Sequence, residues 1–276
     1  MNGILAATND PSKMLEGLRS LPRLDAYLPQ LNSGESHDIS EARLSRAIDG
    51  YVADLEEGWE AAQEESEKLG ITPEKTPSWI IMGFDCEDDY DDFMQQYDLP
   101  AYFLNSLQFA YQLDQLFMKG SVGEASITID YSPVTIMYCK LIESMLKEYH
   151  IEPYSRCLGN LKTDIKRADD KTMKYTWREI RDLPSEQKQQ LTIGSFTFPL
   201  NMEWVVPKLA RFSKQDVSLW ELHKEMITVV RDIRNPSAHG NKGHRISLEQ
   251  KNDIIRLLFD EHGFVRLIEL VGDSIQ

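Results

Sequence analysis

A mostly α-helical protein is what this sequence predicts, and three observations carry that expectation. Apolar residues recur at spacings of three and four in two long stretches, one after Ser132 and one after Leu219. Capping-box spacing, a small polar residue followed three positions later by Glu or Gln, occurs at Asp38–Glu41, Thr176–Glu179 and Ser247–Gln250. Helix-breaking residues stand where those patterns end, at Gly70 and at Asn235-Pro236.

The elements follow in chain order. Asp10-Pro11 reads as an N-cap with proline at the first helical position. Asp38–Glu41 opens a long acidic helix running to about Leu69. A loop with Pro73 and Pro77 leads into the acidic run Cys86–Asp92, which reads as a solvated loop. It resembles a calcium loop only superficially, because it lacks the turn glycine and the closing glutamate. Residues 99–118 predict a buried helix, with Tyr97, Tyr102, Phe103, Phe109, Tyr111 and Phe117 as core. Ser132-Pro133 starts a helix to about Tyr149, with Val134, Tyr138, Leu141, Ile142, Met145, Leu146 and Tyr149 on one face and Pro153 just beyond its end. Leu191–Pro199 reads as a short hairpin or extended loop. Leu219, Leu222, Met226, Val229, Val230 and Ile233 form the next helical stripe, ended by Asn235-Pro236. Ser247 then opens a last helix with Ile254, Ile255, Leu258 and Phe259 facing inward.

Composition bounds the rest. A chain of 276 residues makes one large domain or two small ones. The division expected here is an acidic helical region, 1–98, and a helical domain, 99–276. With 41% hydrophobic and 27% charged residues, wholesale disorder is excluded. The uncharged stretch Leu191–Met202 contains Pro199 and is too short to span a bilayer, so no membrane partner is expected. The first residues have no basic segment ahead of an apolar core, so no signal peptide is expected. Cys86, Cys139 and Cys157 form no CxxC, which excludes a disulfide scaffold and a cysteine zinc site and suits a cytoplasmic location. The net charge is −15, and all of it lies in residues 1–100, which hold 22 acidic and 7 basic side chains. Residues 156–188 are locally basic. Repulsion of polyanions is therefore a property of the N-terminal third alone, which suits either a restraint on nucleic-acid binding, a surface for a protein partner or solvated charges that keep the chain soluble.

The sharpest local feature is Arg231-Asp-Ile-Arg234-Asn235-Pro-Ser-Ala-His239-Gly240. At 100° per residue, Arg234 sits about 90° from the middle of the stripe Leu219–Ile233. That is the edge of the buried face, where a guanidinium is held yet meets solvent. Asn235 is adjacent, and the broken helix lets His239 return toward the same spot. Arginine binds phosphate through two parallel hydrogen bonds, and histidine moves protons near neutrality. These three residues suit phosphodiester chemistry, and no cluster of His, Cys and carboxylates in the chain has a metal-binding spacing, so no metal or cofactor is expected. Substitution of Arg234 or His239 by alanine at such an edge is expected to cost no more than about 1 kcal/mol of stability.

On these residues the chain resembles the HEPN family, whose signature is an arginine, a polar residue, and a histidine after a gap of four to six. Tyr138–Leu146 and Leu158–Leu161 also resemble earlier HEPN segments, so the likeness covers about residues 100–270. Arg256 and His262 fit the same gap but are set aside, because Leu257 follows the arginine. The resemblance implies a HEPN-like helical bundle carrying an additional acidic region. It further implies a homodimer and a metal-independent endoribonuclease acting on RNA, as a toxin or effector of a prokaryotic defence system. Carried onto this chain, Arg234, Asn235 and His239 are the catalytic set. Beside them, Glu143 either orients Arg234 across a helix pair or is a solvated or ordinary ion-paired residue, and Lys242 and His244 either touch RNA phosphates or belong to a flexible loop. Two rivals stand beside this: an inactive HEPN-like dimerisation or partner-binding module, and an inhibitor acting through the acidic N-terminal region.

Overall fold

The computed structural model describes residues 21, 41–68, 76–97, 99–121, 130–166, 172–234, 246–260 and 263–275. These are mostly helical, with a single two-stranded antiparallel sheet among them. Helix α1, Glu41–Lys68, buries Ile48, Tyr51, Val52, Leu55 and Trp59, a three-and-four spacing that defines one face. Asp54, Glu57, Glu60 and Glu64 lie on its exposed side. Trp59 stacks on Phe109 with ring centroids 5.0 Å apart.

The short α2, Ser78–Ile81, precedes α3, Glu87–Gln96. The acidic run expected as a loop is thus the beginning of a helix. Glu87, Asp88 and Asp89 occupy its first turn, where carboxylates meet the positive end of the helix dipole. Rings then anchor it, with Phe93 between Phe84 at 5.3 Å and Tyr97 at 4.9 Å. Helix α4, Ala101–Ser121, follows the expected buried pattern at Phe103, Phe109 and Phe117. Tyr97 and Tyr111 are half-buried, and Tyr102, expected in the core, faces solvent.

Helix α5, Ser132–Met145, is buried on all sides, the mark of a central helix. It packs against α1 and α4 and against the helices of residues 217–234, 248–255 and 263–275. The sequence places its end near Tyr149. Instead a π turn, Leu146–His150, carries the chain straight into α6, Ile151–Leu158. Pro153 lies inside α6 rather than beyond a terminus. Proline lacks an N–H and presses on the carbonyl one turn back, and a wider turn just before it gives the room.

Strands β1, Lys162–Lys166, and β2, Thr172–Thr176, pair antiparallel with Asp164 opposite Lys174. Helix α7, Trp177–Arg181, begins with the expected capping box, in which the Thr176 N–H donates to Glu179 at 2.7 Å and the Glu179 N–H donates to Thr176 Oγ1 at 3.3 Å. After α8, Ser185–Lys188, comes α9, Ile193–Leu200, where a hairpin or loop was expected. Ile193, Phe196 and Leu200 are buried at helical spacing, and the Thr192 N–H donates to Ser195 Oγ at 3.2 Å to start the turn. Then follow α10, Val205–Ser213, and α11, Val217–Arg234. The Ser247 capping box opens α12, Leu248–Ile255, as expected. Ile254 and Leu258 are buried, Ile255 and Phe259 half so. A second π turn, Arg256–Asp260, and α13, Gly263–Ile275, complete the bundle. One contiguous apolar core runs from α1 through α13.

Among the described residues no helix is long and apolar enough to cross a membrane. The Asp10-Pro11 start, the capping residues Asp38–Ser40, the Gly70 stop, the Asn235-Pro236 break and His262 lie outside the described residues.

Candidate functional site

Burial of α11 decides where Arg234 goes. Its buried residues are Trp220, His223, Met226, Ile227, Val230, Ile233 and Arg234. At 100° per residue this face is turned by about 60° from the apolar stripe read in the sequence. Leu222 of that stripe is exposed, and Leu219 and Val229 are only half-buried. Arg234 therefore falls about 30° from the middle of the inward face rather than at its edge. It is 1% exposed, which overturns the expectation of solvent contact.

A guanidinium in such a place requires a carboxylate, and α5 supplies it. Arg234 Nη2 donates to Glu143 Oε2 at 2.8 Å, and Glu143 is fully buried. The supporting residue proposed from the sequence is thus in direct contact with the arginine of the motif. Glu143 also accepts from Lys147 Nζ at 2.8 Å and from the backbone N–H of Ile193 at 3.3 Å. Lys147 donates in turn to the Gln189 carbonyl at 2.9 Å. Lys140 lies 3.8 Å from Glu143 and pairs with Asp49 of α1. Glu143 is the hub that joins α5, the end of α11 and the start of α9, with Lys140 as its link to α1.

The electrostatics follow from that hub. Burial pushes the Glu143 carboxyl up, but Arg234, then Lys147 and Lys140, outweigh it and bring its pKa to about 2. Lys147 is lowered by burial, which the attraction of Glu143 offsets only in part. Beside the pair, burial pushes the Cys139 thiol up to about 12 against the pull of Arg234, so it stays a neutral packing group. One turn before Arg234, Arg231 is held by Asp232 at 2.7 Å and reaches Thr197 Oγ1 of α9 at 3.3 Å.

Asn235, His239, Lys242 and His244 lie outside the described residues. Both flanks of the segment that carries them are fixed. Before it stands the buried Arg234–Glu143 pair. After it, Ile246 donates its N–H to Asp130 Oδ1 at 3.2 Å and accepts from the Tyr131 N–H at 3.1 Å. Asp130 also caps α5 through Ser132 N at 3.0 Å. Beyond Ile246, Lys251 of α12 donates to Asp114 of α4 at 2.7 Å, a second buried ion pair.

Sequence reasoning missed Lys147 and Lys140. Their signal was present as charge partners at i+4 and i−3 from Glu143 on one helix. Among the described residues no group of three or more His, Cys, Asp or Glu is placed to hold a metal ion. No family model, no curated protein and no solved structure matches this chain.

Proposed function

We propose that this protein is a metal-independent endoribonuclease of the HEPN type, acting as a toxin or effector in a prokaryotic defence system. The observation that carries the reading is the buried Arg234–Glu143 pair. It joins two of the three sequence stretches on which the family resemblance rests, Tyr138–Leu146 and the motif that begins at Arg234.

In this reading a ribose 2′-hydroxyl attacks the adjacent phosphorus and the bond to the 5′-oxygen breaks. The products are a 2′,3′-cyclic phosphate and a 5′-hydroxyl. His239 moves the proton from the attacking oxygen to the leaving one, and Asn235 orients the phosphate or the imidazole. Arg234, engaged by Glu143, is a positioning residue: it holds the end of α11 from which the segment carrying Asn235 and His239 departs. Two copies of the chain pair their motifs into one composite groove.

Purified full-length protein is expected to cleave RNA equally well in EDTA, leave cyclic phosphate ends and spare DNA. His239→Ala is expected to abolish cleavage with its melting temperature unchanged. Loss of cleavage on chelation, restored by magnesium, would place the chemistry elsewhere. A second reading, an inactive partner-binding module, is favoured by the 1% exposure of Arg234. Absence of any RNA cleavage by a folded, dimeric protein would select it.

A further inference from the structure

The exposed side of α10 has a composition unlike the rest of this acidic chain. Val205, Val206, Leu209, Ala210 and Ser213 face the core. The positions left to solvent are Trp204, Pro207, Lys208, Arg211 and Lys214. At 100° per residue, Trp204, Pro207, Lys208 and Arg211 fall within a stripe about 100° wide. That stripe holds an indole and two cations, with Lys214 as a third cation beyond its end and the exposed carboxylate of Glu203 beside its start. None of Lys208, Arg211 and Lys214 has an ion-pair partner among the described residues, whereas Arg156, Arg181 and Arg231 are each held by an acid.

Trp204 is 50% exposed, an unusual position for so large an apolar ring in a folded protein. Lys208 Nζ lies 5.5 Å from its centroid, so a cation already covers part of the ring. On the neighbouring α6, Arg156 sits 6.0 Å over the half-buried ring of Phe212, which extends the pattern of cation beside aromatic. Helices α9 and α11 both pack on α10. Arg231 near the end of α11 reaches Thr197 of α9, so both neighbours of α10 are tied to each other.

The geometry points to the solvent face of α10 as a docking platform for single-stranded RNA. An exposed indole offers a stacking surface to any base, and the unpaired cations track the phosphates on either side. The match is one of charge: with three cations against the single carboxylate of Glu203, a polyanion is the partner for this surface. This inference rests on the ribonuclease reading for the identity of its ligand, and it adds the substrate class, unpaired strands rather than duplex.

The test uses the full chain and a single-stranded 2′-O-methyl RNA 15-mer, which lacks the nucleophile and reports binding apart from cleavage. Of the five tryptophans, Trp177 and Trp220 are fully buried, Trp59 nearly so and Trp79 half-buried, so Trp204 is the most exposed reporter of ligand contact and the Trp204→Ala variant isolates its share of the signal. Binding is expected to quench tryptophan fluorescence. Trp204→Ala is expected to weaken binding about tenfold and remove most of the quench. Lys208→Glu with Arg211→Glu is expected to weaken it further and to flatten the salt dependence by about two phosphate contacts. Duplex RNA and phosphatidylserine vesicles are expected to compete poorly. Equal affinity of the variants and the wild type, or tighter binding of the vesicles than of the strand, would overturn the platform. Strand binding through Trp204 with no cleavage of unmodified RNA would instead retain the platform and remove the ribonuclease reading.

Discussion

At the scale of the residue, Glu143 carries more than the arginine it was thought to support. Its carboxylate is shared by two buried cations, Arg234 and Lys147. Removing the carboxylate takes away the negative charge that balances both cations in a dry site. Glu143→Ala is therefore expected to cost about 4 kcal/mol of stability, within the range for breaking a buried ion pair from one side. Arg234→Ala leaves Glu143 still paired with Lys147 and is expected to cost about 2 kcal/mol, less than the other but more than an edge position would. Urea denaturation of the two variants and of the double variant checks this. Equal small losses for both would show that the pair is not dry. The position of Arg234 on its helix was legible in the sequence, and its burial was not. The guanidinium turned inward because a carboxylate from a distant helix receives it, and helical periodicity ranks apolar residues without regard to a charge that arrives already paired.

At the scale of the element, two imidazoles hold three segments together. His150 closes the first π turn and donates through Nε2 to the Leu267 carbonyl of α13 at 2.7 Å. Its ring stacks on His223 of α11, with centroids 4.8 Å apart and planes 12° from parallel. Both rings are fully buried. Burial lowers His150 from 6.5 to about 4, and burial, then His150 and Arg266, lower His223. A histidine base with a depressed folded pKa contributes stability above its unfolded pKa, and loses it as protons bind the unfolded chain first. The protein is thus expected to lose about 3 kcal/mol between pH 6.5 and pH 4 from His150 alone. Melting temperatures across that window should fall for the wild type and fall less for His223→Phe. A flat profile in the wild type would contradict the neutral stacked pair. Helix starts were the most legible elements, because the Thr176 and Ser247 boxes are local chemistry. The α3 and α9 helices were not. One begins in carboxylates that suit a helix N-terminus as well as a loop, and the other contains Pro199, which reads as a break unless the packing of Ile193, Phe196 and Leu200 is known.

At the scale of the whole molecule, the acidic N-terminal third is two things at once. Its exposed carboxylates on α1 face solvent, while Ile48, Tyr51, Val52, Leu55 and Trp59 of the same helix belong to the core around α5. Deleting residues 1–95 to test a charge effect would uncover the central helix, and the remainder is expected to lose cooperative unfolding. Replacing Asp54, Glu57, Glu60 and Glu64 by their amides separates the two roles. Stability is expected to change by no more than about 0.5 kcal/mol per site. If these charges restrain nucleic-acid binding, affinity for a single RNA strand rises at low salt and the gain vanishes at high salt. No change in affinity would leave them as charges that keep the chain soluble.

The framing of residues 235–245 has a consequence for how this protein varies. The backbone on both sides is set by groups that the segment does not supply: Glu143 on one side, and Asp130 with the Tyr131 backbone on the other. Because these anchors belong to the helical scaffold, the separation the segment must bridge is independent of its sequence. The segment is in effect a cassette. Its residues other than Asn235 and His239 can be exchanged while the anchors are kept, and the cost of closing a somewhat longer insert grows only with the logarithm of its length. Specificity is free to drift there while the scaffold stays put.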